Sequence, residues 1–203
     1  MVSAVVYIFA EWRDWRTIRW VSKMAASTAF VMLAVSKGAP DSPYGRLVLL
    51  ALAFSWVGDA LLLSLRNAFL VSGIAAFFFA HIAFAAAFAT QPIGATSLAI
   101  ALAILALAAS LLLRWLWKYL NPLYRIAVPV YLAAITIMTS IAIAMSAASW
   151  SPLTAFAALA FTTSDVSVAL NRFVQRKISN KVWGLPLYYV AQLLFAMSVL
   201  SFG

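Results

Sequence analysis

Long apolar segments dominate this chain, and they restrict its fold more than any other feature. A helix needs about 20 mostly apolar residues to cross a bilayer. Runs close to that length recur between charged residues, prolines and glycines, at 20–36, 47–65, 69–90, 93–113, 126–147, 152–170 and 185–202. The residues are 66% hydrophobic and only 9% charged, which excludes a soluble domain, because such a domain keeps polar residues outside its core. The sequence therefore predicts an all-α, polytopic transmembrane helical bundle.

A shorter apolar run, 2–10, precedes these segments and is too short to span a bilayer alone. It lacks a basic leader and is followed at once by EWRDWR, so it does not resemble a signal peptide. We count it as the short first helix of eight. The whole chain, 1–203, is expected to form a single transmembrane domain.

The basic residues predict how the bundle is oriented. Of the 14 lysines and arginines, all but Lys37 and Arg46 fall in segments on one side of the predicted helices. The positive-inside rule makes that side cytoplasmic and the C-terminus external. The predicted location is the bacterial inner (plasma) membrane, with membrane lipids as surroundings. Because loop charges explain the net charge of +9, no nucleic acid partner is expected.

Several kinds of chemistry are excluded by the rare residue types. The chain has no cysteine and a single histidine, so disulfides, zinc knuckles and thiol nucleophiles are absent. It contains neither a serine-hydrolase elbow nor a phosphate-binding loop. We expect no metal and no cofactor.

Two stretches of the chain resemble two later ones when the sequence is shifted by about 106–111 residues. FSWVGD aligns with FTTSD, and FFFAHIAF aligns with YYVAQLLF. This order of matches indicates two four-helix halves, 1–92 and 93–203, in parallel orientation about an axis along the membrane normal.

Each of the two repeated motifs places an aspartate inside a predicted helix. Asp59 and Asp165 lie about 9 Å and 8 Å from the cytoplasmic edge at the helical rise. A carboxylate at the centre of a membrane helix costs about 2.5–3.5 kcal/mol on insertion scales. Such a residue is a functional candidate, and both are predicted to be catalytic. Gly58, beside the first aspartate, favours close approach of a second helix or a ligand.

Other polar residues of the predicted helices are candidates for substrate binding: Lys23, Ser55, His81, Tyr131, Tyr188 and Gln192. They also have structural interpretations. Ser55, Tyr131 and Gln192 can simply join helices through hydrogen bonds. Lys23 can extend to the headgroups, and His81 can be a satisfied core residue.

The two carboxylates suit paired acid–base chemistry if their surroundings differ. A buried carboxyl that keeps its proton can donate it, while an ionised one near Lys23 can activate water.

Four sequence patterns resemble the YhhN-like lysoplasmalogenase family: FSWVGD, AFFFAH, FTTSDVSVALNRF and YYVAQ. The similarity covers residues 7–200 in order, and the two aspartate motifs are its specific part. Two features depart from the family pattern. The usual Lys-Pro-Leu near the second helix appears as Lys23-Met24-Ala25, and the first helix is short.

The resemblance implies a hydrolase that cleaves the vinyl-ether bond of lysoplasmalogens. The products would be a fatty aldehyde and glycerophosphoethanolamine or glycerophosphocholine, and the partner a lysophospholipid substrate. Asp59 and Asp165 would act as general acid and as base or cation stabiliser, in an order that the sequence leaves open. Lys23 and the arginines at the cytoplasmic edge would hold the phosphate.

Two other classes fit the same residues. A parallel repeat with intramembrane carboxylates is also typical of a proton-coupled transporter or channel for a small or lipid-like solute. A structural membrane protein, in which the aspartates only pair with Lys23, is the third class.

Overall fold

The computed structural model describes residues 15–64 and 67–202. These residues form seven α-helices and no strand. The helices are α1 (Arg16–Ser36), α2 (Pro43–Leu62), α3 (Asn67–Ala89), α4 (Ala95–Leu116), α5 (Tyr124–Ser149), α6 (Leu153–Ala169) and α7 (Ile178–Phe202). All seven lie in segments that are long and apolar enough to cross a membrane. The all-α prediction is confirmed, and the chain is an integral membrane protein.

The predicted number of eight helices is off by one, because the described ranges contain seven. The run 2–10, which we counted as the short first helix, lies outside the described residues. The remaining seven apolar runs each correspond to one observed helix.

The observed helices extend beyond the predicted runs where charged residues flank them. α1 begins at Arg16 rather than at residue 20, and α7 begins at Ile178 rather than at residue 185. Lysine and arginine are good helix formers, and their long side chains can reach toward water while their stems stay on the helix. A charge therefore marks the edge of the apolar zone without ending the helix.

The connection between α1 and α2 shows how local sequence ends one helix and starts the next. Gly38 follows α1 with a φ of 81°, in the left-handed region that glycine adopts without strain. Ser42 then caps α2 by accepting a hydrogen bond from the backbone N–H of Gly45 at 2.9 Å. Pro43 occupies the first turn of α2, where no intrahelical N–H bond is lost.

Six of the seven helices form a closed ring of neighbours. Going round it, α1 packs on α2, α2 on α3, α3 on α5, α5 on α6, α6 on α7, and α7 on α1. α4 lies outside this ring and packs chiefly against α5. Two helix pairs, α2 with α3 and α6 with α7, have the most extensive contacts. These pairs are the ones that correspond under the predicted repeat, which itself stays a prediction.

Close helix approach is visible at Gly58 of α2. A Cβ atom there would lie 2.6 Å from Cε2 of Phe77 on α3, so the aromatic ring sits directly on the glycine. This observation agrees with the expectation of close helix approach at Gly58.

An aromatic cluster fills the centre of the ring of helices. The rings of Phe84 and Phe195 lie 4.2 Å apart between centroids, and Phe161 packs on both at 6.2 Å. Phe77 and Tyr188 extend the cluster toward one end of the bundle. This packing joins α3, α6 and α7 next to the polar groups described below.

Candidate active site

Both aspartates lie on the wall of one cavity of about 610 Å³. The cavity occupies the end of the bundle where α1, α3, α5 and α7 begin and α2, α4 and α6 end. The other polar candidates on its wall are Lys23, Tyr131 and Tyr188. Helices that are far apart in sequence thus bring five of the eight predicted site residues to one space.

Asp59 is almost completely buried and accepts bonds from three side chains. Oδ1 lies 3.0 Å from Nζ of Lys23 on α1. Oδ2 accepts from the hydroxyl of Ser27 at 2.5 Å and from that of Tyr188 at 2.7 Å. An ammonium group can only donate, so this arrangement stabilises an ionised carboxylate, since buried charges persist when they are paired and hydrogen-bonded.

Asp165 has a different set of neighbours and is slightly more accessible, with 12% of its side chain exposed. The hydroxyl of Tyr131 donates to Oδ2 at 3.1 Å. Nε2 of His81 lies 3.2 Å from the same oxygen, close enough for an ion pair but not aligned as a direct hydrogen bond. No lysine or arginine forms an ion pair with this carboxyl within the described ranges.

His81 lies behind Asp165 and is fully buried. Nδ1 lies 2.6 Å from the carbonyl oxygen of Phe77, one turn earlier in α3. One face of the imidazole stacks on Phe161, with centroids 4.6 Å apart, and the ring of Tyr131 meets it edge-on at 5.2 Å. The ring therefore has a fixed orientation, although it is not part of the cavity wall.

Much of the remaining cavity wall is apolar and comes from three helices. α3 contributes Leu70 and Ile74, while α5 contributes a series that includes Leu132. The peripheral helix α4 closes this side with Leu105 and Leu112. A hydrocarbon chain can be accommodated along this wall without unpaired polar groups.

The end of the cavity nearest the loops is rich in basic residues, namely Arg19, Arg172, Arg176 and Lys181. Arg172 lies in a π-helical turn, Leu170–Val174, that follows α6. Its guanidinium donates to the carbonyl oxygen of Leu62 at 3.1 Å, which ties this turn to the C-terminal end of α2. Such π-helical turns frequently occur at functional sites.

Ser55 and Gln192, both predicted to bind substrate, lie away from the cavity. The amide of Gln192 donates to the hydroxyl of Ser55 at 3.2 Å, and both side chains are fully buried. The structure joins them to each other, across α2 and α7, and not to the cavity wall. Their role in substrate binding stays a prediction.

Several polar residues of the site were not singled out from the sequence, among them Ser27, Thr139 and Thr162. Ser27 bonds Asp59, and it lies four residues after Lys23, a spacing that places both on one helix face and could have revealed it. Thr139 and Thr162 form a 2.7 Å hydrogen bond on the cavity wall. Thr162 lies within the FTTSD motif, whereas Thr139 has no comparable signal, because isolated threonines are common in membrane helices.

No cluster of three or more metal-binding side chains occurs within residues 15–64 and 67–202. The two aspartates instead contact donors on separate helices.

The sequence that forms this site matches a known protein family. Residues 18–199 match the model of the YhhN family. The chain belongs to the YhhN family. Both aspartates, and every residue that contacts them, fall inside the matched range.

Two curated proteins are also similar to this chain. The human protein named lysoplasmalogenase TMEM86A is 30% identical over 165 residues, which cover 78% of this chain and 67% of the relative. The bovine protein of the same name is 29% identical over 166 residues, with the same coverage. No solved structure matches the chain.

Proposed function

We propose that this YhhN-family protein hydrolyses the vinyl-ether bond of a lysoplasmalogen-like lipid inside the membrane. The names of the human and bovine relatives support a hydrolase of this kind. The single observation that carries the proposal is the position of Asp59 and Asp165 on the wall of one largely apolar cavity.

The reaction needs acid catalysis and one water molecule. A proton is added to the β-carbon of the vinyl ether, and the electron pair of the C=C bond forms the new C–H bond. The resulting oxocarbenium ion is attacked by water, which loses a proton. The hemiacetal then breaks its original ether C–O bond: its hydroxyl group loses a proton and the leaving oxygen gains one, which gives a fatty aldehyde and a glycerophospho-alcohol. One carboxyl supplies the proton, and the other stabilises the cation as a fixed anion.

The polarity of the cavity supports a direction for the bound lipid. The phosphate would lie at the end that carries Arg172 and Arg176, because guanidinium groups bind phosphate oxygens in pairs. The hydrocarbon chain would lie along the apolar wall of α3, α4 and α5. The vinyl-ether bond, which joins these two parts of the lipid, would then lie near the aspartates.

The proposed location follows from the charges of the loops. Lys37 and Arg46 lie at the opposite end of the bundle from the cavity. By the positive-inside rule the cavity end would be cytoplasmic and the C-terminus external. The bacterial inner membrane stays the predicted location. The lipid would enter from the cytoplasmic leaflet.

A proton-coupled transporter remains the competing function, and the position of the cavity favours the enzyme. A transport pathway needs polar groups that continue to both surfaces. The residues that line this cavity extend from one end of the bundle to about the middle of the helices, as Leu105, Thr139 and Thr162 show, and none lies near the opposite end.

The test is aldehyde release from lysoplasmalogen by the purified protein, compared among three matched substitutions. Asp59→Asn and Asp165→Asn should each lower kcat by at least about 100-fold, in the range typical of general acid–base groups. Asp41→Asn is the control, because this aspartate is exposed and lies between α1 and α2 at the other end of the bundle. It should retain the wild-type rate.

Two outcomes contradict the proposal at different levels. If the wild-type protein releases no aldehyde, the enzymatic function is wrong. If either cavity variant retains full activity, the paired-carboxylate mechanism is wrong even though the enzymatic function stands.

A further inference from the structure

We propose that His81 is a positioning residue that keeps the reacting proton on Asp165. This inference rests on the proposed function. It makes Asp165 the general acid and leaves Asp59 as the permanently ionised group, which resolves an order that the sequence left open.

The contact of His81 with its own helix decides its tautomer. Its Nδ1 atom lies 2.6 Å from the carbonyl oxygen of Phe77. A carbonyl oxygen can only accept a hydrogen bond. Nδ1 must therefore carry a hydrogen, whether the imidazole is neutral or charged.

The other ring nitrogen of His81, Nε2, faces Asp165. When the imidazole is neutral and Nδ1 carries its hydrogen, Nε2 is a bare acceptor. It lies 3.2 Å from Oδ2 of Asp165, and an ionised carboxylate is also a pure acceptor. Although the two atoms are not aligned as a hydrogen bond, two bare acceptors at that distance repel each other, and the contact therefore favours one proton on the imidazole or on the carboxyl. The hydroxyl of Tyr131 does not remove this preference, because its hydrogen already points to Oδ2.

Asp59, in contrast to Asp165, is surrounded by hydrogen-bond donors. Lys23, Ser27 and Tyr188 all donate to its carboxylate. A proton on Asp59 would place an additional donor among three existing donors. Of the two cavity carboxyls, the one beside His81 is therefore the one whose surroundings hold a proton.

The groups around the imidazole keep this proton within the pair formed by His81 and Asp165. The polar groups facing it are Asp165 of α6, Tyr131 of α5 and the Phe77 carbonyl of its own helix, while Phe161 covers one ring face. Asp59 of α2 lies with Tyr188 of α7 on the wall of the cavity. His81 is not on that wall, so it acts through Asp165 and does not touch the substrate.

The proton balance of the reaction fits this arrangement. The O–H bond of protonated Asp165 breaks as the C–H bond at the β-carbon forms. The new carboxylate faces His81 and the oxocarbenium ion, which Asp59 also stabilises. Water forms a C–O bond to the cation and gives one proton to Asp165, so the starting state is restored without a further reactant.

A direct test uses the single histidine of the chain. Protein labelled with ¹⁵N,¹³C-histidine and held in detergent micelles gives imidazole NMR signals from His81, provided that the sample carries no histidine tag. We expect a protonated Nδ1 at every pH at which the fold persists. We also expect the pH dependence of the ring signals to change in Asp165→Asn and to stay close to wild type in Asp59→Asn.

Either of two NMR results overturns the proposal. One is a neutral imidazole whose hydrogen is on Nε2. The other is an equal response to Asp165→Asn and Asp59→Asn. Both results can be obtained even if the protein releases no aldehyde, so this test fails separately from the proposed function.

A kinetic test distinguishes a role of His81 in sharing the proton of Asp165 from a role in packing or in orienting that carboxyl. His81→Phe keeps an aromatic ring against Phe161, whereas His81→Gln keeps an amide that can hydrogen-bond to Asp165 but cannot take up a proton. We expect both variants to lower kcat by at least about 100-fold with little change in KM, and to alter the pH–rate profile on its acidic or basic limb.

Retention of the wild-type kcat and pH profile by either variant overturns the proposal. Thermal unfolding in the same detergent shows whether each variant is folded. If both variants unfold, the NMR comparison of the aspartate variants decides the matter, because it leaves His81 in place.

Discussion

Asp59 and Asp165 occupy corresponding positions on α2 and α6, yet their surroundings differ in kind. Asp59 contacts an ammonium group and two hydroxyls. Asp165 contacts an imidazole and one hydroxyl. Similar motifs can thus place two carboxyls in different surroundings. Asp59 lies among donors that favour its anion, whereas Asp165 lies beside an imidazole that can share its proton.

The way in which the helices cross also supports the proposed repeat. Tyr188 of α7 reaches Asp59 on α2, while His81 of α3 reaches Asp165 on α6. Each aspartate is thus contacted by the last helix of the other proposed half. The two aspartates differ in which side chains these helices bring to them.

The largest predicted effect is on stability and comes from breaking the charge pair at Asp59. Lys23→Met leaves a buried carboxylate without its cation, which should lower the free energy of unfolding by about 3–5 kcal/mol. Adding Asp59→Asn to Lys23→Met should recover most of this loss. Asp165→Asn should change the free energy of unfolding by less than about 1 kcal/mol, because an amide can still donate to His81. Chemical unfolding in one detergent measures the free energy of unfolding of each variant. Equal losses for Lys23→Met and Asp165→Asn would contradict the proposed difference between the two carboxyls.

A second prediction compares the helix pairs that carry the aspartates. A Cβ atom at Gly184 of α7 would overlap the side chain of Ser167 on α6. Gly184→Ala should therefore destabilise the protein by about 1–3 kcal/mol through overpacking. Gly73→Ala is the matched control, because its Cβ would meet only the end of the flexible Leu62 side chain at 2.7 Å. If thermal unfolding shows the same loss for both, close approach of α6 and α7 is not what stabilises this half.

A third prediction concerns the two tyrosine hydroxyls. Tyr131→Phe removes the hydroxyl that donates to Asp165, whereas Tyr188→Phe leaves Asp59 with Lys23 and Ser27. We expect Tyr131→Phe to lower kcat about tenfold, equivalent to one hydrogen bond of about 1.4 kcal/mol. Tyr188→Phe should have the smaller effect. Steady-state aldehyde release measures both variants, and the reverse order would show that Asp59 is the more sensitive carboxyl.

The smallest predicted effect on activity is at the buried pair Ser55 and Gln192. The pair lies off the cavity wall, so Ser55→Ala should leave kcat and KM near wild type. Its effect should appear as a loss of stability of about 1–3 kcal/mol, because the amide of Gln192 loses its partner. A clear rise in KM would instead support the sequence-based prediction that these residues bind substrate.

The apolar runs predicted most of the fold because a bilayer leaves few alternatives. A backbone in lipid must satisfy its own hydrogen bonds, so each long apolar run becomes a helix. What the runs did not predict is where the helices end. α7 begins at Ile178 and continues through Lys181 and Pro186, because helix formation depends on backbone geometry and neighbours as well as on hydropathy.

The sequence by itself identified Asp59 and Asp165 as candidates for function, since buried carboxylates in membrane helices are costly and rarely lack a role. It also placed Lys23, Tyr131, Tyr188 and His81 among the candidates. Only the tertiary structure decided which of these groups meets which aspartate. Those contacts depend on distances of about 3 Å between side chains on different helices, and helix packing sets such distances. The same packing turned Ser55 and Gln192 toward each other, and it placed Nε2 of His81 3.2 Å from Asp165.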